Sequence, residues 1–534
     1  MTTASSKKKE AMAVCGSRGR GLPYTWQCIW ALAVAASMIV YSLALFNGPS
    51  SSSSTSCARD RSSNRELAAA RRSSGGHGDQ ESLWEWRGDL RQMEAAWNRL
   101  CFGPIQERLR IALFVKKWPV GGVPGGLERH ALTLHRNLAA RGHEIHVYTS
   151  AAAGSDNPEE LLDDQQDHEE RGLLRVHFSR PNAGGGFDYH RAWDQFLADN
   201  STHPGGFDIV HSESVALPHW KAQLLGSNLA ASWHGIGYEI IHSDLVQDLV
   251  RKPGEPRSAD LQRSLGERLT RVADEIKFFP SYRHHVATSD YVGDVLQTIY
   301  EIPLRNVHTI LNGVDESRFR PSLDAGSAFR RKYGVPVNAS LVFGAAGRLV
   351  RDKGHPLLFE AFSRIAARHP GVFLLVAGHG PWADRYRELA PNAKTLGPMD
   401  PAHLADFYNA LDVFVNPTLR SQGLDHTLLE AMQCGKPLLA THFSSITWSV
   451  VVSSDFGHTF SPNVDSLEQA MEAVIAQGRD TMRRKGELCR DYASLMFTAT
   501  KMGAAYERLF LCMKNESYCQ YPLPGDCPVE PSKY

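Results

Sequence analysis

The sequence has no excess of charge of either sign, since 58 basic residues balance 58 acidic ones. Nothing in its electrostatics therefore points to nucleic acid or another polyanion. It has no Asp-x-Asp pair, so a divalent ion held by carboxylates is not indicated and no metal or other cofactor is expected. From Phe102 to Gln433 it has no cysteine, whereas Cys489, Cys512, Cys519 and Cys527 gather near the C-terminus. Such clustering fits disulfides in an oxidising lumen, with the pairing left open. Zinc is the competing reading, but no Cys-x-x-Cys pair or nearby histidine spacing supplies its usual ligands. The glycine loop at Gly121 to Gly126 also lacks the G-x-G-x-x-G order of a dinucleotide-binding turn.

What is present divides the chain. At 534 residues it is too long for one ordinary domain, and about three units are expected. Trp26 to Phe46 is an uncharged, mostly apolar run of 21 residues, the length a helix needs to cross a hydrocarbon core of about 30 Å. Lys7, Lys8, Lys9, Arg18 and Arg20 precede it and no basic residue follows until Arg59. The expectation is a cytosolic tail (1–25), a membrane helix (26–46) and a lumenal body. A cleaved signal peptide is the competing reading, against which the length of the run argues. A serine-rich, apolar-poor stretch from Gly48 to about Gly78 reads as flexible stem. Leu83, Trp86, Leu90, Met93 and Trp97 recur at spacings of three and four, which predicts an amphipathic helix within the stem region (47–105).

The body reads as two α/β units. In the first (106–320), RIALFV at Arg110 to Val115 is a buried-strand pattern followed by the glycine loop. Leu127, Ala131, Leu134 and Leu138 then follow helical spacing to a stop at Gly142, and Glu144 to Thr149 gives the next strand, completing a βαβ unit. Further strands are expected at Leu173 to Phe178, Asp208 to His211, Ala230 to Trp233 and Val286 to Ser289, with helices between them. The second unit (321–511) repeats the pattern, with a strand in LVFGAAG after Ser340, a helix from Pro356 to Arg368 and a strand from Val372 to Gly380. A tail with cysteines (512–534) follows. Two doubly wound sheets leave a cleft between them, with ligands at the carboxyl ends of the strands.

Ser421 to Thr441, SQGLDHTLLEAMQCGKPLLAT, holds the densest motif. Its Glu430-Ala-Met run is expected to open a helix after a glycine-bearing loop, where unpaired N–H groups suit an anion. An ordinary helix whose Leu428, Leu429 and Met432 face the core, with Glu430 solvated, is the plain alternative.

This stretch resembles the signature of family 4 glycosyltransferases, in which two glutamates eight positions apart precede A-M-x-x-G-x-P. Here the second is Glu430 and the first position is Gln422. The resemblance runs from about Arg110 to Leu511 through GGLERHALTLHRNLAARGHEIHVYTS, SWHGIGYE, ATSDYVGDVL, VHTILNGVDESRFRP, GRLVRDKGHPLLFEAF and VAGHGP, in the family's order. It implies the GT-B fold, two Rossmann-like domains facing each other across a cleft. It also implies a retaining, nucleotide-sugar-dependent transferase. Arg348 and Lys353 would stabilise charge on the diphosphate without a metal. Glu430 would bind the ribose hydroxyls, with Gly125, Gly126, Gly423 and Leu424 beside the donor. His234 and Gln422 would lie at the reacting centre. Gln422 keeps a carbonyl acceptor but loses the charge, so it can act neither as a base nor as an offset to oxocarbenium charge.

The expected protein is thus a single-pass type II membrane enzyme of the Golgi, or alternatively of the endoplasmic reticulum. It would move a sugar to a glycan, glycoprotein or lipid acceptor. Asn200, Asn338 and Asn515 each begin an N-x-[ST] sequon on the lumenal side. A nucleotide-sugar or glycan-binding protein that kept the fold and lost turnover through Gln422 is the alternative from another class.

Overall fold

The computed structural model describes residues 86–104, 107–119, 125–151, 172–251, 254, 259–421 and 423–527. The Trp26 to Phe46 run, most of the stem, the start of the glycine loop and Gln422 lie outside them. No helix among the described residues is long and apolar enough to cross a membrane.

Two all-parallel sheets organise the body. A strand covered by helices on both faces must be apolar on both, and the runs RIALF, LAASW, VFLLVA and LLAT meet that demand. A short strand Gly88–Asp89 (β1) comes first. The first sheet contains β2 (Arg110–Phe114), β3 (Glu144–Ser150), β4 (Leu174–Ser179), β5 (Ile209–Glu213), β6 (Leu229–Trp233), β7 (His284–Ala287) and β8 (Val307–Thr309). Their order is β4-β3-β2-β5-β6-β7-β8. The second sheet contains β9 (Leu341–Ala346), β10 (Val372–Ala377), β11 (Ala393–Thr395), β12 (Val413–Asn416), β13 (Leu438–Thr441) and β14 (Gly457–Phe460), in the order β11-β10-β9-β12-β13-β14. In both sheets the strand order reverses beside the first strand, between β2 and β5 and between β9 and β12. Those reversals are the points where loops part and leave a crevice.

Helix α1 (Gly126–Ala140) buries Ala131, Leu134 and Leu138 on the first sheet, and Gly142 follows it at φ +102°. Helix α2 (Gly237–Leu249) and helix α3 (Ala259–Phe278) form a hairpin beyond β6. On the second sheet lie α4 (His355–Arg368), the short α5 (His426–Gln433) and the long α6 (Val464–Met496), which bends at Gly478. The last helix, α7 (Ala499–Lys514), returns to the first domain. Its Met502, Tyr506, Leu509 and Phe510 are buried in one core with Leu113, Val147 and Leu134, although the sequence reading places the chain to residue 511 in the second domain. Each such aliphatic or aromatic side chain, fully buried, contributes about 1.5–3 kcal/mol.

The chain passes between the domains twice, and the two crossings pair with each other. Val314 N donates to Phe497 O at 2.9 Å and Ala499 N donates to Val314 O at 2.9 Å, in a parallel bridge of Val314 with Thr498. A side chain on Gly313 would run into the Thr498 carbonyl at 2.3 Å, so the close crossing needs glycine there.

The amphipathic helix expected around Trp86 to Trp97 is not formed. Gly88–Asp89 pairs instead with β15 (Gln520–Tyr521), and two 3-10 turns follow at Leu90–Gln92 and Trp97–Arg99. Asp89 accepts from Arg91 N at 3.0 Å, which starts a turn where a helix was expected, and Ala96 is extended. The periodicity reports burial correctly: Leu90, Met93 and Trp97 all enter the first core. Cys101 bonds to Cys527 across 426 residues, and Cys512 bonds to Cys519. Cys489 is a buried free thiol, as is Cys434.

Candidate active site

The carboxyl ends of the two sheets face a cleft of about 720 Å³. The loops that line it include those at the two reversal points, after β2, β5, β9 and β12, and those after β6 and β10. Gly125, Gly126 and Arg129 contribute from the first domain with His234, while Arg348, Lys353, Gly423, Leu424 and Asp425 contribute from the second. Of the residues singled out in the sequence, these seven predicted ones converge: Gly125, Gly126, His234, Arg348, Lys353, Gly423 and Leu424. Glu430 stands outside the cleft lining, and Gln422 lies outside the described residues.

On the second-domain side, β9 ends at Ala346 and Gly347 turns the chain at φ +124°. This delivers Arg348, whose side chain is 58% exposed and lies 3.9 Å from Asp352. Lys353 follows on a 3-10 turn closed by Gly354, where a side chain would meet the Pro417 carbonyl at 1.6 Å. Lys353 Nζ donates to Asp425 Oδ2 at 2.6 Å. Asp425 is also the N-cap of α5, accepting from Thr427 N at 3.2 Å. The helix therefore begins at His426, and Glu430 sits in its second turn rather than opening it. Burial alone would raise the Asp425 carboxyl, but the Lys353 ammonium and the Thr427 hydrogen bonds hold it well below the usual carboxylate range.

Glu430 is buried behind this loop. It pairs with Arg129 of α1, and one oxygen accepts from Tyr408 Oη at 2.7 Å. Burial lifts its carboxyl above the ordinary value despite the pull of Arg129. Since Arg129 belongs to the first domain and Glu430 to the second, the pair spans the cleft. Two further contacts do so beside it. Gly423 N donates to Glu239 Oε1 at 3.1 Å, and Ser421 N donates to Ser243 Oγ at 3.0 Å. Glu239 is wholly buried at the start of α2, and burial pushes its carboxyl up to about 7.

On the first-domain side, His234 follows β6 and meets the end of β5. Its Nε2 lies 2.6 Å from Glu213 Oε2. His130 of α1 lies against both, with Nε2 3.7 Å from Glu213 Oε1 and its ring centroid 4.5 Å from that of His234. The ligand atoms of His130, Glu213 and His234 all fall within 4.8 Å of one another. Burial opposes charge on Glu213, yet the adjacent His130 and His234 and the bond from His234 hold its carboxyl well below the usual range. Burial drives the His130 imidazole far down, so it stands neutral.

Sequence reasoning missed Glu213, Arg129, Tyr408, Glu239 and Asp425. Only Asp425 carried a local signal: an Asp one residue ahead of a buried helical run is a capping pattern. The others act through contacts between residues far apart in the chain.

Residues 124–318 match the family model described as Glycosyltransferase Family 4, and residues 340–477 match the model Glycosyl transferases group 1. The D-inositol 3-phosphate glycosyltransferase 1 of Catenulispora acidiphila is 28% identical over 352 residues, covering 62% of this chain and 78% of that protein. Among solved structures, the sucrose-phosphate synthase of Thermosynechococcus elongatus aligns with a TM-score of 0.56 at 20% identity, over 76% of this chain and all of that one. The Anabaena protein HepE in complex with UDP-glucose aligns with a TM-score of 0.52 at 17% identity, over 75% and 99% of the two chains. These structural likenesses show the two-domain fold.

Proposed function

We propose that this chain, whose two domains match the models Glycosyltransferase Family 4 and Glycosyl transferases group 1, moves a sugar from a nucleotide-diphosphate donor to a hydroxyl acceptor with retention of configuration. The observation that carries the reading is the cleft itself: Arg348 and Lys353 line it after β9, opposite His234 on the other domain. In the reaction the bond from the sugar's anomeric carbon to the diphosphate breaks, and its electron pair stays on the departing oxygen. The acceptor oxygen bonds to that carbon, and its proton passes to the departing phosphate. Arg348, exposed in the cleft, offers a planar fork for phosphate oxygens, and Lys353 offers a point charge. Two cations there take the part a metal plays elsewhere, and the protein's work becomes positioning and charge stabilisation. The HepE structure with UDP-glucose and the acceptors in the names of the relatives support a nucleotide sugar and a small or glycan-like acceptor. The body would sit in the Golgi lumen behind the Trp26 to Phe46 span, a placement supported by that apolar run and by two disulfides.

The test is to screen the purified body against nucleotide sugars for release of free nucleotide, with and without chelator. Release that persists in chelator is expected, and release abolished by chelator would end the metal-free mechanism. A nucleotide-sugar-binding protein without turnover is favoured by one observation, the neutralisation of Lys353 by Asp425. Saturable binding of donors with no release under any acceptor would establish that reading instead.

A further inference from the structure

We propose that Glu213 is a positioning residue: by accepting the Nε2 proton of His234, it fixes that imidazole in the tautomer whose bare Nδ1 accepts a hydrogen bond from a substrate hydroxyl in the cleft. The proposal rests on the preceding one only in taking the cleft's occupant to be a sugar.

The register of the first sheet places the two groups together. Glu213 is paired with Ser232 between β5 and β6, so the residue after β6 falls beside the last residue of β5. Glu213 is 1% exposed, whereas His234 lines the cleft. An ionised carboxylate only accepts hydrogen bonds, so the 2.6 Å contact assigns the proton to His234 Nε2. In the neutral imidazole the other ring nitrogen then carries a lone pair, and it has no hydrogen-bond partner among the described residues. This is how a second group commonly decides which imidazole nitrogen is presented outward.

Two observations mark the dyad as built rather than incidental. Ser214, directly after Glu213, holds φ at +53° without being glycine, a conformation that costs of order 1–3 kcal/mol and persists only where its surroundings enforce it. The strained residue directly follows Glu213, the last residue of its strand. The second is His130, which is fully buried with neither ring nitrogen hydrogen-bonded among the described residues. It packs its ring against His234, and its Nε2 lies 3.7 Å from Glu213 Oε1, beyond hydrogen-bond reach, so among the described residues His234 is the hydrogen-bond donor to the carboxylate. The titratable groups that face His234 are Glu213 at the end of β5, His211 earlier on the same strand, His130 on α1 and His426 at the start of α5. Of these Glu213 alone carries charge, because burial keeps the three imidazoles neutral.

The same three side chains satisfy the distances of a metal site, which makes a clean rival: a metal would take the Nε2 lone pair and leave Nε2 without its proton. The experiment uses the body with isotope-labelled histidines and long-range proton–nitrogen correlation spectra, with His234→Asn identifying the His234 signals. In the parent, His234 is expected as the Nε2–H tautomer. Glu213→Gln, whose amide carbonyl still accepts, keeps that tautomer, and Glu213→Ala loses the preference. With a donor in turnover, Glu213→Ala lowers kcat about tenfold or more while the donor KM stays within about twofold. Glu213→Gln recovers most of the loss in kcat. An unchanged His234 spectrum in Glu213→Ala overturns the proposal, as does one equivalent of tightly bound metal that His130→Ala abolishes. If no donor is ever turned over, the functional reading fails while the tautomer remains measurable.

Discussion

Lys353 donates to Asp425 over 2.6 Å, and the same carboxylate caps helix α5. One acidic side chain thus satisfies both the ammonium and the helix N-terminus, the two positive features that a phosphate would seek there. Any diphosphate that binds must compete with it or share Lys353.

Replacing Asp425 with Asn should therefore tighten binding of a nucleoside diphosphate. Asn caps a helix about as well as Asp, so the fold is kept while Lys353 is released. The expected gain is about tenfold, or about 1.4 kcal/mol, read by titration calorimetry. Lys353→Ala and Arg348→Ala should each weaken binding by about 1.5–3 kcal/mol. Unchanged affinity in both alanine variants would remove these cations from the donor site.

Glu430 holds Arg129 and Tyr408 from behind the cleft lining, and the proposed ribose contact is tested separately from that clamp. Glu430→Ala leaves Arg129 and Tyr408 without their buried acceptor, and breaking such a pair costs about 3–5 kcal/mol. A lower thermal unfolding midpoint should follow. Glu430→Gln, which keeps shape and one acceptor, should lose less stability and raise the donor KM. A drop in stability with no change in KM would make the residue a clamp between domains and nothing more.

Glu239 gives a dependence on pH whose sign is fixed. Its folded carboxyl titrates near 7, above the ordinary 4.5, so the folded state holds the proton more firmly than the unfolded one. Stability from this group is full below about pH 4.5 and is lost as pH rises through 7, amounting to on the order of 3 kcal/mol. Unfolding measured from pH 5 to 8 should show that decline in the parent and a flatter course in Glu239→Gln. Equal slopes in the two proteins would contradict the assignment.

Cys101 and Cys527 close most of the described chain into one loop. Converting both to serine should cost about 2–5 kcal/mol. Cys434 and Cys489 are buried, with burial pushing the Cys434 thiol up to about 12. Neither should react with iodoacetamide until the protein unfolds, as peptide mapping before and after denaturant will show.

Of the three sequons, Asn338 is exposed and its side chain makes no hydrogen bond among the described residues. Asn200 instead accepts from Phe207 N at 2.8 Å, and Asn515 accepts from Ser517 N at 3.0 Å. If the body is lumenal, glycosidase treatment should remove a glycan from Asn338 first, and Asn338→Gln should abolish most of the mobility shift. No shift in the parent would argue against the lumenal placement.

The strands were legible because parallel strands covered on both faces leave continuous apolar runs. The expected Ala230 to Trp233 and Val372 to Gly380 lie within a residue or three of β6 and β10. The loop after β9 was legible too, through the GRLVRDKG motif that carries Arg348 and Lys353, and the structure shows Gly347 and Gly354 turning the chain there at positive φ. The stem segment misled because a spacing of three and four reports which side is buried and not which backbone buries it. Leu90, Met93 and Trp97 reach the core from 3-10 turns and extended chain. The links of Glu430 with Arg129 and of Glu213 with His234 were invisible for another reason. Each joins residues brought together only by the order of strands in a sheet or by the facing of two domains.

The pairing of the two crossings at Val314 and Thr498 limits how this molecule can breathe. Two separate tethers would let one domain slide or shear across the other, but tethers bonded at a single spot act as one pivot. Opening then has to be a swing about that pivot, with Asn312, which donates to the Leu424 carbonyl at 3.2 Å, riding beside it and keeping its neighbour. Such a swing has to part the contacts of Ser421 and Gly423 with α2. A molecule entering the cleft is therefore admitted along an arc whose centre the backbone has already chosen.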